Sequence, residues 1–154
     1  MKRVLFVCLG NICRSPAAEA VLRAKARARG LPLHADSAGT GGWHAGEPPD
    51  PRMQRAAARR GYDLSPLRAR QVQLSDFYEF DLLVAMDLSN QSDLLAMAPP
   101  GRQCDIRLFL DFADTDIRET PDPYYGGQHG FERVLDLIEA GAEGFLDYLE
   151  GESR

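Results

Sequence analysis

The run Val7-Cys8-Leu9-Gly10-Asn11-Ile12-Cys13-Arg14-Ser15-Pro16 follows directly on the apolar segment Arg3-Val4-Leu5-Phe6-Val7. Four apolar residues without polar alternation read as a strand covered on both faces, and Ser15-Pro16 reads as the N-cap and first residue of a helix. The chain therefore passes from a buried strand through a five-residue loop into a helix, and few α/β arrangements accommodate that turn. Gly10 removes a Cβ from a tight bend, and Asn11 tolerates a left-handed backbone.

A loop of this length curls round a tetrahedral oxyanion, with the N–H groups of Leu9, Gly10, Asn11, Ile12, Cys13 and Arg14 pointing inward at a helix start. It reads as a phosphate-binding loop. Cys8 lies where the helix dipole, several N–H donors and the Arg14 guanidinium favour thiolate over thiol, which makes it a nucleophile toward a bound phosphoryl group. The planar fork of Arg14 suits two equatorial phosphoryl oxygens, a geometry lysine lacks. Asn11, Ser15 and Ser37 read as hydrogen-bond support for the loop, and Ser15 as a donor to the Cys8 sulfur.

The wording of this segment resembles the low molecular weight protein tyrosine phosphatases. The resemblance continues through Asp36-Ser37-Ala38-Gly39-Thr40, Trp43-His44, Asp50-Pro51-Arg52, Ala69-Arg70-Gln71, Met86-Asp87 and Asp122-Pro123-Tyr124-Tyr125, in family order across almost the whole chain. It implies phosphotyrosine hydrolysis through a phosphocysteine on Cys8, with Arg14 binding phosphate and Asp122 serving as general acid and then general base. It also implies apolar walls from Leu9, Ile12, Trp43 and Tyr124, and a reversible Cys8–Cys13 disulfide under peroxide. The chain departs from the family at Leu67, where many members carry histidine. Leu67 cannot supply a histidine hydrogen bond to the network around Asn11.

Asp122 is the candidate acid on chemical grounds too, because a thiolate that displaces an aryl alkoxide needs a proton delivered to the leaving oxygen. Pro121 and Pro123 restrict the loop that carries it. Loop N–H donors and Arg14 supply the electrostatic stabilisation, so the chemistry demands neither a metal nor a cofactor. Activity requiring Cys8 deprotonated and Asp122 protonated predicts a bell-shaped pH profile on the acidic side of neutrality. His44 and His129 are loop residues given no catalytic role, and Cys104 reads as structural.

Short apolar runs at residues 3–8, 33–37, 80–86 and 106–110 alternate with helical patterns near 16–29, 51–60, 88–98 and 130–149. This β-α repeat predicts a three-layer α/β sandwich with a parallel sheet. The resemblance implies four strands in order 2-1-3-4 with helices on both faces. At 154 residues the chain fits a single domain over 1–154. The Pro- and Gly-rich stretches 39–51 and 121–130 are expected to surround the Cys8 loop, since ligands in open α/β sheets bind beyond the carboxyl ends of strands.

Charge is divided between the halves. Residues 1–77 carry 13 basic and 6 acidic side chains, and residues 78–154 carry 5 and 17. Arg23, Lys25, Arg27 and Arg29, then Arg52, Arg55, Arg59 and Arg60, read most simply as solvated helix faces. Steering of anionic phosphoproteins by the basic half is a second reading. A net charge of −5 with no basic tail argues against nucleic-acid binding. No run spans a bilayer, and three cysteines without framework spacing fit a reducing, cytoplasmic setting. The expected partners are phosphotyrosine proteins and inorganic phosphate, with a monomeric catalyst. Three alternatives remain open: a protein arginine phosphatase, disfavoured by Ile12 and the Tyr-Tyr pair; an arsenate reductase, disfavoured by the absence of cysteines from 60–103; and a non-catalytic phosphate-binding module.

Overall fold

The structure, a computed structural model, describes residues 1–102, 104–123 and 127–152, with the side chains of 127–129 and 152 excluded. Strand β1 (Lys2–Cys8) pairs in parallel with β2 (Leu33–Gly39) on one side and β3 (Leu82–Ala85) on the other. β4 (Asp105–Leu108) extends the sheet beyond β3, giving the order β2-β1-β3-β4. The parallel sheet and its strand order are those expected.

Period-two alternation along β1 divides the core. Val4, Phe6 and Cys8 pack with α1 (Arg14–Ala28), α2 (Pro51–Ala58) and α5 (Gly127–Glu152), whereas Leu5 and Val7 face Phe77, Phe80 and Leu94 beside α3 (Asp76–Glu79) and α4 (Leu88–Met97). Helices thus cover both faces. The stripe Phe131, Val134, Leu135, Ile138, Ala142, Phe145, Leu146 and Leu149 of α5 is buried throughout, so α5 is a core element. Among the described residues no helix is long and apolar enough to cross a membrane.

Three local expectations are corrected. The first helix starts at Arg14 with Cys13 at its N-cap, two residues before the Ser15 cap inferred from Ser-Pro. Ser15 is unavailable for capping because its hydroxyl is committed to Cys8 and Asn11, and Pro16 is harmless in the first turn, where an N–H has no helical partner. The fourth apolar run ends as a strand at Leu108 and turns into a 3₁₀ segment, Phe109–Phe112, whose Phe109 ring meets Phe6 edge-on at 5.4 Å. The short helix α3 was not anticipated. Its Asp76 side chain accepts from the Gln73 N–H and pairs with Arg70.

The divided charge has a tertiary explanation. Lys25 and Arg29 of α1 reach Glu143 on α5, and Arg29 also pairs with Asp147 and Glu150. Arg60, just beyond α2, binds Glu132, Asp136 and Glu139 on the same helix. Lys25, Arg29, Arg59 and Arg60 of the basic half are thus apposed to the acidic C-terminal helix.

Candidate active site

The loop between Cys8 and Arg14 is shaped by its carbonyls. Cys8 O accepts from Thr40 N–H, Leu9 O from Gly41 N–H, and Ile12 O from Asp50 N–H, at 2.9, 2.9 and 2.8 Å. With those oxygens turned outward to neighbouring loops, the amides turn inward. Among the described residues no backbone carbonyl accepts from the N–H groups of Leu9, Gly10, Ile12 or Cys13, the arrangement that suits an anion. Asn11 makes the bend by taking φ 59°, which asparagine tolerates better than other side-chain-bearing residues.

Asn11 is buried, and its amide is fully engaged. Its Oδ1 accepts from the Arg70 N–H at 2.9 Å, and its Nδ2 donates to Ser15 Oγ at 2.8 Å and Ser37 Oγ at 3.0 Å. The loop-supporting asparagine is thus braced without a histidine at 67, and Leu67 packs against the core instead. Donor direction follows down the chain of contacts. Because Asn11 Nδ2 can only donate, Ser15 Oγ accepts from it; the hydroxyl lies 2.9 Å from Cys8 Sγ and 3.5 Å from Ala38 O, and it donates to the sulfur when Cys8 is a thiolate, which can only accept. The Asn11 N–H also donates to that sulfur, at 3.3 Å. Ser37 likewise accepts from Asn11 and donates to Glu19 Oε1 at 2.7 Å. Burial pushes the Glu19 carboxyl above its ordinary value, against the opposing pull of Ser37 and Arg23.

Arg14 is 4% exposed and clamped on one side. Its Nη1 donates to Asp87 Oδ2 at 2.6 Å and to Thr120 O at 3.1 Å, while Nη2 stands 3.8 Å from Asp122 Oδ2. Burial opposes its charge, but Cys8, Asp87 and Asp122 outweigh burial and push its pKa up. Cys13 is a different kind of thiol. Burial, reinforced by Asp50, Cys8 and Asp122, raises its pKa well above the ordinary range and keeps it protonated.

A cavity of about 310 Å³ joins Cys8, Arg14 and Asp122. Leu9, Ile12 and Trp43 contribute apolar wall, and His44, paired with Glu47, sits at its edge. Trp43 is 72% exposed at the loop tip, as its Gly-rich setting suggested. Tyr124 lies outside the described residues, as does the His129 side chain. Two contributors went unassigned in the sequence: Asp87, whose place at the carboxyl end of β3 was a signal, and Glu19, which carries an acid onto the buried face of α1 one turn after Ser15.

A cysteine and a clamped arginine on one loop with inward-turned amides make a site of the kind found in cysteine-based phosphate ester hydrolases. The family model for the low molecular weight phosphotyrosine protein phosphatases matches residues 3–154. A low molecular weight protein-tyrosine-phosphatase of Streptomyces coelicolor is 48% identical over 151 residues, covering 94% of this chain and 91% of its own. The crystal structure of a protein tyrosine phosphatase from Entamoeba histolytica superposes with a TM-score of 0.94 at 41% identity, covering 100% of both chains. A Drosophila arginine phosphatase superposes with a TM-score of 0.91 at 36% identity, over 97% of this chain and 98% of its own. The chain belongs to the low molecular weight protein tyrosine phosphatases, and its activity is that of a phosphoric monoester hydrolase.

Proposed function

We propose that the chain, acting as one domain over 1–154, hydrolyses protein phosphotyrosine and small aryl phosphates through a phosphocysteine on Cys8. The observation that carries this reading is the convergence of Cys8, Arg14 and Asp122 on one cavity. The Cys8 thiolate attacks phosphorus in line with the tyrosyl oxygen, forming the S–P bond as the P–O bond breaks. Asp122 gives its proton to the leaving phenolate oxygen. Water then attacks the phosphocysteine, Asp122 takes up the water proton, and inorganic phosphate leaves as the thiolate is restored. Loop N–H groups and the free edge of Arg14 stabilise the equatorial oxygens through both steps.

Apolar groups at Leu9, Ile12 and Trp43 support an aromatic leaving group over the shorter phosphoserine. All three assigned catalytic groups come from one chain, which supports a monomeric catalyst. Three free cysteines, each buried, support a cytoplasmic setting.

The test is phosphate release from a phosphotyrosine peptide at mildly acidic pH without added metal, beside a phosphoarginine peptide and a Cys8→Ser control. Preferential phosphotyrosine turnover lost in the control is expected. Preferential phosphoarginine turnover would move the substrate class, and turnover of neither would leave a phosphate-binding module.

A further inference from the structure

Arg52, Arg55 and Arg59 line a cavity of about 280 Å³ together with Ala56 and Phe131. Spacings of three and four residues place the three arginines on one face of α2 and its C-cap. Among the described residues the lining holds three guanidiniums and no carboxylate. Arg52 leans over the Phe131 ring at 4.9 Å and grips Asp50 through Nε and Nη2. Arg59 stands 3.5 Å from Glu132 at the edge of the cavity. Arg55 makes no ion pair among the described residues, unlike Arg60 on the adjoining face, which is saturated by α5. With Arg52 on Asp50 and Arg59 near Glu132, Arg55 supplies the unbalanced charge of this concave surface, which favours an anionic side chain.

Its position relative to the catalytic loop is fixed at two points. The Asp50 N–H donates to Ile12 O at 2.8 Å, so the start of α2 abuts the phosphate-binding loop. On the other side, Gly130 lies against Pro123, the residue after Asp122, and Phe131 follows it into the cavity. The cavity thus lies beside the active site, between the flanks of its nucleophile loop and its acid loop. Arg52 and Arg59 are spaced by roughly 10 Å along the helix at about 1.5 Å per residue. An extended peptide covers that distance in about three residues.

We propose that this arginine cavity is a second subsite that binds acidic side chains a few residues from the phosphotyrosine on the same polypeptide, and so selects acidic phosphotyrosine segments as substrates. The proposal rests on the phosphatase reading above. It replaces diffuse attraction by the basic half with a built site, since Lys25, Arg29 and Arg60 are engaged by α5.

Two phosphotyrosine peptides that differ only in Glu or Gln at positions two to five on both sides of the tyrosine test it. Values of kcat/KM are compared for the wild type, Arg55→Gln and Arg55→Glu, at low and raised salt, with p-nitrophenyl phosphate as a substrate too small to reach the cavity. The wild type is expected to prefer the Glu peptide by roughly three- to tenfold, the scale of one or two exposed charge pairs, and to lose that preference with salt. Arg55→Gln should shrink the ratio and Arg55→Glu reverse it, with p-nitrophenyl phosphate turnover unchanged in both. Equal wild-type values for the two peptides, or a loss shared by both peptides and p-nitrophenyl phosphate in the variants, would overturn the subsite. Failure of the wild type to turn over p-nitrophenyl phosphate would sink the phosphatase reading itself and the subsite with it.

Discussion

The guanidinium of Arg14 is divided between two aspartates: Nη1 is held by Asp87 at 2.6 Å, while Nη2 faces Asp122 across 3.8 Å. One edge is anchored to the end of β3 and the other is offered to the cavity. The anchored edge gives the arginine a fixed orientation before phosphate arrives, the condition under which a charged donor contributes most to a transition state.

Lysine can supply the charge at position 14 but cannot span Asp87, the Thr120 carbonyl and a phosphoryl oxygen together. Arg14→Lys should lower kcat/KM for a phosphotyrosine peptide by roughly 10²–10³-fold, the cost of removing a preorganised donor. Asp122→Asn should lower kcat/KM, which reports the first displacement alone, roughly 10²–10⁴-fold on phosphotyrosine and much less on p-nitrophenyl phosphate, whose leaving group needs little protonation. Steady-state kinetics on the two substrates checks both, and an equal loss on each would refute the acid role of Asp122.

Asp50 caps α2 by accepting from the Arg52 and Met53 N–H groups at 2.7 and 3.4 Å. Burial works against its charge, but the hydrogen bonds from Arg52 outweigh burial and hold its carboxyl below the ordinary range. A carboxyl lowered in the folded state contributes stability above its unfolded value and loses it as pH falls through the folded one. Asp50→Ala should therefore cost about 1–2 kcal/mol at neutral pH, and the gap between variant and wild type should close in strongly acidic solution. Urea titrations at the two pH values measure it.

Glu19 runs the opposite way. Its folded carboxyl is raised by burial, so the folded state holds the proton to higher pH than the unfolded one, and stability falls as pH rises through that window. Glu19→Gln removes the titration. The stability of Glu19→Gln relative to the wild type should rise between mildly acidic and neutral pH, and a difference independent of pH would show that Glu19 carries no such penalty.

Helix α5 approaches the 3₁₀ segment so closely that a Cβ at Gly144 would fall 1.9 Å from the Phe112 carbonyl oxygen. Backbone cannot step aside as a side-chain tip can. Gly144→Ala should destabilise by about 1–3 kcal/mol, as overpacked cores do, and lower Tm, while Gly151→Ala, in open space near the end of the same helix, should leave Tm nearly unchanged.

Cys13 lies five residues after Cys8, at the far end of the same loop, and is a protonated, buried thiol. If peroxide converts Cys8 to a sulfenic acid, condensation with the Cys13 thiol releases water and forms a disulfide that a dithiol reduces. Wild-type activity lost to mild peroxide should return with dithiothreitol, and Cys13→Ser should show a smaller recovery. Equal recovery would remove Cys13 from this role.

Much of the fold was legible because its signals are local. Val4 to Val7 and Leu82 to Ala85 carry no polar alternation, and a strand covered on both faces leaves that mark in the sequence. The Asn11 bend was legible for the same reason, since few residues accept a positive φ. The helix start differs from the expected one by two residues because Ser15-Pro16 carries the same local mark whether the hydroxyl caps a helix or turns to a sulfur. The end of β4 was misplaced because Phe109 and Leu110 are as apolar as the strand before them.

Contacts distant in sequence were out of reach. Arg14 meets Asp87 and Thr120 across separations of 73 and 106 residues, and Asn11 meets the Arg70 N–H across 59. The sequence by itself determined the strand-loop-helix unit, the alternation of elements and the placing of Cys8 and Arg14 at the two ends of one loop, because each depends on residue type and short-range spacing. Only the tertiary structure decided which carboxylate anchors Arg14, how Ser15 is brought against Cys8, and that α5 pairs Arg29 and Arg60. Those outcomes depend on chain closure, which brings together groups whose separation along the chain carries no record of their distance in space.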